Sequence, residues 1–74
     1  MDDAERQLLE YLADQPRQRG MVCEPSLVAV AERLVFDPRR LLSDVYAGPN
    51  GCVLAALTQA GRDALAAIKG APST

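Results

Sequence analysis

The chain contains no histidine and no tryptophan, and its only aromatic residues are Tyr11, Phe36 and Tyr46. Without an imidazole there is no His general base, no Ser-His or Cys-His nucleophile pair and no His metal ligand. The two cysteines, Cys23 and Cys52, cannot close a tetrahedral zinc site between them. Gly48, Gly51 and Gly61 lack the spacing of a phosphate-cradling loop. No metal, no cofactor and no enzymatic activity are therefore expected. No apolar run reaches the ~18 residues a membrane span needs, so no membrane partner is expected either. The first residues are acidic rather than a basic stretch leading into an apolar segment, which argues against a secretory signal. In a cytoplasmic protein the cysteines are then expected as two reduced, largely buried thiols. Their spacing leaves a disulfide open without showing one.

What is present is modest. The 74 residues allow one domain, expected over residues 1–69, with 70–74 as a flexible tail. Hydrophobic residues are 49% of the chain, but twelve of them are alanines, so few large side chains remain for a core. A domain this small buries only about 60% of its unfolded surface and is correspondingly marginal. The net charge of −2 is unevenly spread. Asp2, Asp3, Glu5, Glu10 and Asp14 against Arg6 leave the first segment at −4. Five arginines against three carboxylates give residues 15–40 a charge of +2, and the remainder is neutral.

Periodicity divides the chain into elements. Ala4, Leu8, Tyr11 and Leu12 fall on one face of a first helix, capped by Asp2 or Asp3 and stopped by Pro16. Met21-Val22-Cys23 is a candidate short strand. Pro25-Ser26 opens a second helix whose apolar face is Leu27, Val30, Ala31 and Leu34, with Glu32 and Arg33 toward solvent. Asp37-Pro38 combines a preferred N-cap with a preferred first helical residue. Leu41, Leu42, Val45 and Tyr46 then predict a third helix over about 38–47, with Tyr46 at the edge of the core. Gly48-Pro49 ends it and 49–51 form a tight turn. Cys52 to Leu57 reads either as a buried strand pairing with Met21–Cys23 or as the start of a helix. Thr58, a good N-cap, favours a strand followed by a helix from Gln59 to about Lys69. Gly61 suits close helix packing.

Two short helices joined by a tight turn form a helix-turn-helix pattern. Leu57-Thr58-x-x-Gly61-Arg62-x-x-Leu65 resembles the Leu-Thr-x-x-Gly-Arg signature of winged helix-turn-helix regulators of the bacterial multiple-antibiotic-resistance type. The resemblance covers roughly residues 26–68. It implies a mainly α fold with a minimal two-stranded sheet, and a cytoplasmic, dimeric transcriptional regulator of double-stranded DNA that reads its target with the third helix. Only about nine residues, none of them Lys or Arg, separate Gly48 from Thr58. The basic wing of that family is therefore truncated.

On this reading Arg39 and Arg40, in the first turn of the third helix, meet base edges or phosphates, with Ser43 beside them. Arg17, Arg19 and Arg33 add backbone contacts. The alternative is a winged-helix protein-interaction module, such as a phage- or mobile-element-encoded inhibitor or adaptor of anti-CRISPR type. Its docking face for a basic partner is then the acidic first helix. The plainer reading of that helix is a solvated surface.

Overall fold

The computed structural model describes residues 3–70, and for Lys69 and Gly70 the backbone only. Helix α1 spans Asp3–Ala13, strand β1 Arg19–Val22, helix α2 Pro25–Leu34, strand β2 Leu42–Ala47, strand β3 Val53–Leu57 and helix α3 Gln59–Gly70. Tight turns at Pro16–Gln18 and Pro49–Gly51 precede β1 and β3. The strands form one antiparallel sheet in the order β1-β3-β2. The fold is thus α+β, with three strands where two were expected.

The sheet has one covered face. Alternation along β3 turns Val53, Ala55 and Leu57 inward, with Val22 of β1 and Leu42 of β2 beside them. They pack on Leu8, Leu9 and Leu12 of α1, Val30, Ala31 and Leu34 of α2, and Leu65 of α3. Helix α1 buries residues 5, 8, 9 and 12, so its inner face is rotated from the expected one and carries Glu5. Tyr11 lies outside it, and its hydroxyl donates to the Met21 carbonyl at 2.6 Å. Helix α2 begins at Pro25 and buries Val30, Ala31 and Leu34 of the expected stripe, with Leu27 half-buried at its edge.

The expected third helix over 38–47 is not formed. Asp37 and Pro38 do start a turn: the Asp37 carboxylate accepts the Arg39 N–H at 2.8 Å, and the Arg40 N–H donates to the Asp37 carbonyl at 2.9 Å. Arg40 then takes φ 53°, outside the right-handed region, and the chain leaves the turn as β2. The helical spacing of Leu42 and Val45 has a different origin. Ser43 faces Ala56 and Tyr46 faces Leu54, so Asp44 and Val45 together oppose a single residue of β3. This is a β-bulge, with Asp44 at φ 53°. One inserted residue turns a period of two into a spacing of three, which imitates a helix face.

Of residues 52–57, Val53–Leu57 form a strand, with Cys52 just before it, and the helix after Thr58 forms as expected. The Thr58 hydroxyl accepts the Gly61 N–H at 3.0 Å and donates to the Arg40 carbonyl at 2.6 Å. A Cβ on Gly61 would run into the Leu41 carbonyl oxygen and the Leu57 side chain, so only glycine lets α3 approach this closely. Gly70 is the last residue of α3 rather than the start of a tail; 71–74, like the candidate cap Asp2, lie outside the described residues. Cys23 and Cys52 are joined in a disulfide, not free thiols. The register explains it: one pair beyond Val22 and Val53 the two residues stand opposite, with Cα atoms 4.2 Å apart. The expectation of two reduced thiols is thereby corrected.

Candidate functional site

The six sequence-selected residues separate into two groups. Arg33 and Arg39 are engaged in an internal network. Arg33 Nη2 lies 2.9 Å and Arg39 Nη2 3.3 Å from the same oxygen, Oε2, of the buried Glu5. Arg39 also grips Asp37, with Nε 2.9 Å from Oδ1 and Nη2 3.0 Å from Oδ2. Donation from the Arg39 side chain, and then from its backbone N–H, holds the Asp37 carboxyl at about 2, below its ordinary 3.8. The same hydrogen bond raises the Arg39 guanidinium above its usual range. The chain therefore uses these cations to tie α1, α2 and the 35–41 turn together.

Arg17, Arg19 and Arg40 behave differently. Each is exposed, and among the described residues none has a carboxylate partner. Arg62 is half-buried and among the described residues bonds to neutral groups: Nη1 donates to Gln18 Oε1 (2.8 Å) and the Leu57 carbonyl (3.4 Å), and Nη2 to Gln59 Oε1 (2.7 Å).

Topology brings these four arginines to one end of the sheet. Arg17 and Arg19 stand where β1 begins, Arg40 where β2 begins, and Arg62 in the first turn of α3 where β3 ends. Antiparallel pairing sets Arg19 beside Ala56 and Ser43 beside Ala56 on its other side. Arg19, Ala56 and Ser43 thus form one cross-strand row on the outer face. The Arg62–Gln18 bond ties the turn before β1 to α3 across the same end. Carboxylates nearby are few. Asp63 is occupied by the Gln59 amide at 2.9 Å, Asp44 sits in the β2 bulge, and Asp14 closes α1.

The next outer row is Met21, Leu54 and Tyr46. Met21 is 43% and Tyr46 57% exposed, so Tyr46 is a surface residue and not the edge of the core. On the far side of β2, Phe36 is 87% exposed beside a depression of about 440 Å³ that it lines with Glu32, Val35, Val45, Ala47 and Val53.

No family model matches the chain, and no curated protein or solved structure matches it either.

The sequence pointed to six of the residues at these two places, five arginines and Ser43, and missed their grouping. It singled out Arg33 and Arg39 for a ligand, where they serve Glu5. Arg62 was noticed only within the strand-to-helix signature. The helix-one acidic face is reduced in the fold, since Glu5 is buried and Asp3 pairs with Arg6 at 3.4 Å. No helix among the described residues is long and apolar enough to cross a membrane.

Proposed function

We propose that the chain is a small nucleic-acid-binding module that holds a phosphate backbone with Arg17, Arg19, Arg40 and Arg62. The observation that carries this reading is their convergence at one end of the sheet, without carboxylate partners among the described residues. Like charges gathered on a small acidic domain repel one another, and a polyanion relieves that repulsion while releasing its counterions. Guanidinium groups also match phosphate oxygens in geometry. The element order and the central β3 support kinship with winged-helix domains. In this chain the reading helix is replaced by the 37–40 turn and β2, and the wing by the tight Pro49–Gly51 turn. Major-groove readout by residues 38–47 is therefore not part of the proposal.

The test is a salt titration of binding to a mixed-sequence 20-nucleotide strand and to its duplex. With four phosphate contacts, log K should fall against log salt with a slope of about −3 to −4. An Arg19→Gln/Arg40→Gln variant should lower that slope by about 1.5 to 2 and weaken all sequences alike. No binding at 20 mM salt by folded protein contradicts the proposal.

The Phe36 patch favours a second reading, a protein-docking module. An aromatic this exposed, beside a depression lined by Val35, Val45 and Ala47, fits an apolar partner. Loss of a captured partner on Phe36→Ser, with no nucleic-acid binding, is the result that selects it.

A further inference from the structure

The geometry points to a single-stranded nucleic acid as the ligand of this site, its bases lying on the outer row Met21, Leu54 and Tyr46. The inference rests on the phosphate-binding reading above and adds the substrate class.

The two outer rows are consecutive. Arg19 and Met21 are two residues apart on β1, about 6.6 Å at ~3.3 Å per residue. A backbone held by the arginines at the sheet end therefore leaves its bases over the apolar row. Ala56, between Arg19 and Ser43, contributes only a methyl group, so the centre of the polar row is low. Leu54 provides a half-buried floor between the exposed Met21 and Tyr46. Tyr46 offers a π face, Met21 a polarizable thioether, and both prefer a flat aromatic partner to water.

A duplex does not satisfy this surface. Its bases are stacked inside, and among the described residues no element projects from the sheet to enter a groove. Single strands present unstacked bases to such a combination of cations and aromatic surface, without a requirement for sequence. One charge opposes binding. Asp44 lies in the bulge between Ser43 and Tyr46, exposed and without an ion-pair partner among the described residues. Asparagine is at least as tolerant of the Asp44 backbone angle, so Asp44→Asn changes charge and leaves geometry intact.

The experiment is fluorescence anisotropy with labelled dT20, rU20 and a 20-base-pair duplex at 50 mM salt. The arms dT20 and rU20 distinguish DNA from RNA as the source of the strand. The expected result is at least tenfold tighter binding of one or both single strands than of duplex. Tyr46→Ala should weaken single-strand binding about fivefold or more with an unchanged salt slope, and Tyr46→Phe should preserve it. Asp44→Asn should tighten it. Circular dichroism establishes that each variant is folded. If Arg19→Gln/Arg40→Gln weakens binding while Tyr46→Ala binds like wild type, the stacking inference falls and the phosphate reading stands. If duplex binds as well as single strands, the stacking inference likewise falls. If no nucleic acid binds, or polyglutamate binds more tightly than dT20, both fall.

Discussion

Replacing Gly61 by alanine sets two effects of opposite sign against each other. In a helix interior alanine is better than glycine by about 1 kcal/mol, and less in a first turn. Against that, the new Cβ would stand 2.7 Å from Leu57 Cδ1 and closer still to the Leu41 carbonyl oxygen. Neither neighbour is free to retreat. The Leu41 carbonyl accepts the Thr58 N–H at 3.1 Å, and Leu57 is a buried residue of the central strand. Inserting a methyl group into such a contact costs typically 1–3 kcal/mol. The net expectation is a loss of about 1–2 kcal/mol, or roughly 5–15 °C in Tm for a domain of this length. Thermal and urea unfolding followed by circular dichroism measure it. Ala60→Gly, one residue earlier on the exposed side of α3, serves as the control for propensity alone and should cost under about 1 kcal/mol. A Gly61→Ala protein that melts at or above the wild-type temperature refutes the packing argument.

Glu5→Gln removes the carboxylate shared by Arg33 and Arg39. Because both arginines are about half exposed, the loss should be only about 1–2 kcal/mol by urea unfolding; an unchanged midpoint would show the network to be ornamental. The Asp37 carboxyl should titrate near 2 in a carbon-detected NMR series, and Arg39→Gln should return it toward 3.8. Since its folded pKa is depressed, the stability it contributes is present above about pH 4 and is lost as the pH falls toward 2; a wild-type midpoint near 3.8 contradicts the contact. Reducing the Cys23–Cys52 disulfide, which closes a sequence separation of 29, should lower unfolding free energy by roughly 3–4 kcal/mol on the loop-entropy relation. Identical melts for oxidised and reduced protein would count against that bridge as a constraint.

Local signals in the sequence survived where a single segment decides the structure. Pro25 opens α2, Thr58 caps α3, and Val53, Ala55 and Leu57 alternate as a buried strand should. Gly61 is where two elements touch. The failure over 38–47 is equally physical. Asp37-Pro38 marks a turn as readily as a helix start, and the bulge at Asp44 disguises β2 as a helix face. What the sequence withheld was mostly non-local. Glu5 satisfies the positive end of a helix dipole as plausibly as it binds two arginines from 28 and 34 positions away. The disulfide depends on strand register. Arginines 17, 19, 40 and 62 become neighbours only when β1 and β2 pair on either side of β3.

The phosphate-binding reading is tested most directly by a nitrogen-15 NMR titration of the protein with dT20 at low salt, observing backbone amides and arginine Nε–H groups together. The account predicts that shifts concentrate at Arg17, Arg19, Arg40, Ser43, Ala56 and Arg62, and that they reverse as salt is raised. Shifts confined to Phe36 and its neighbours, to α1, or to no residue at all would contradict it.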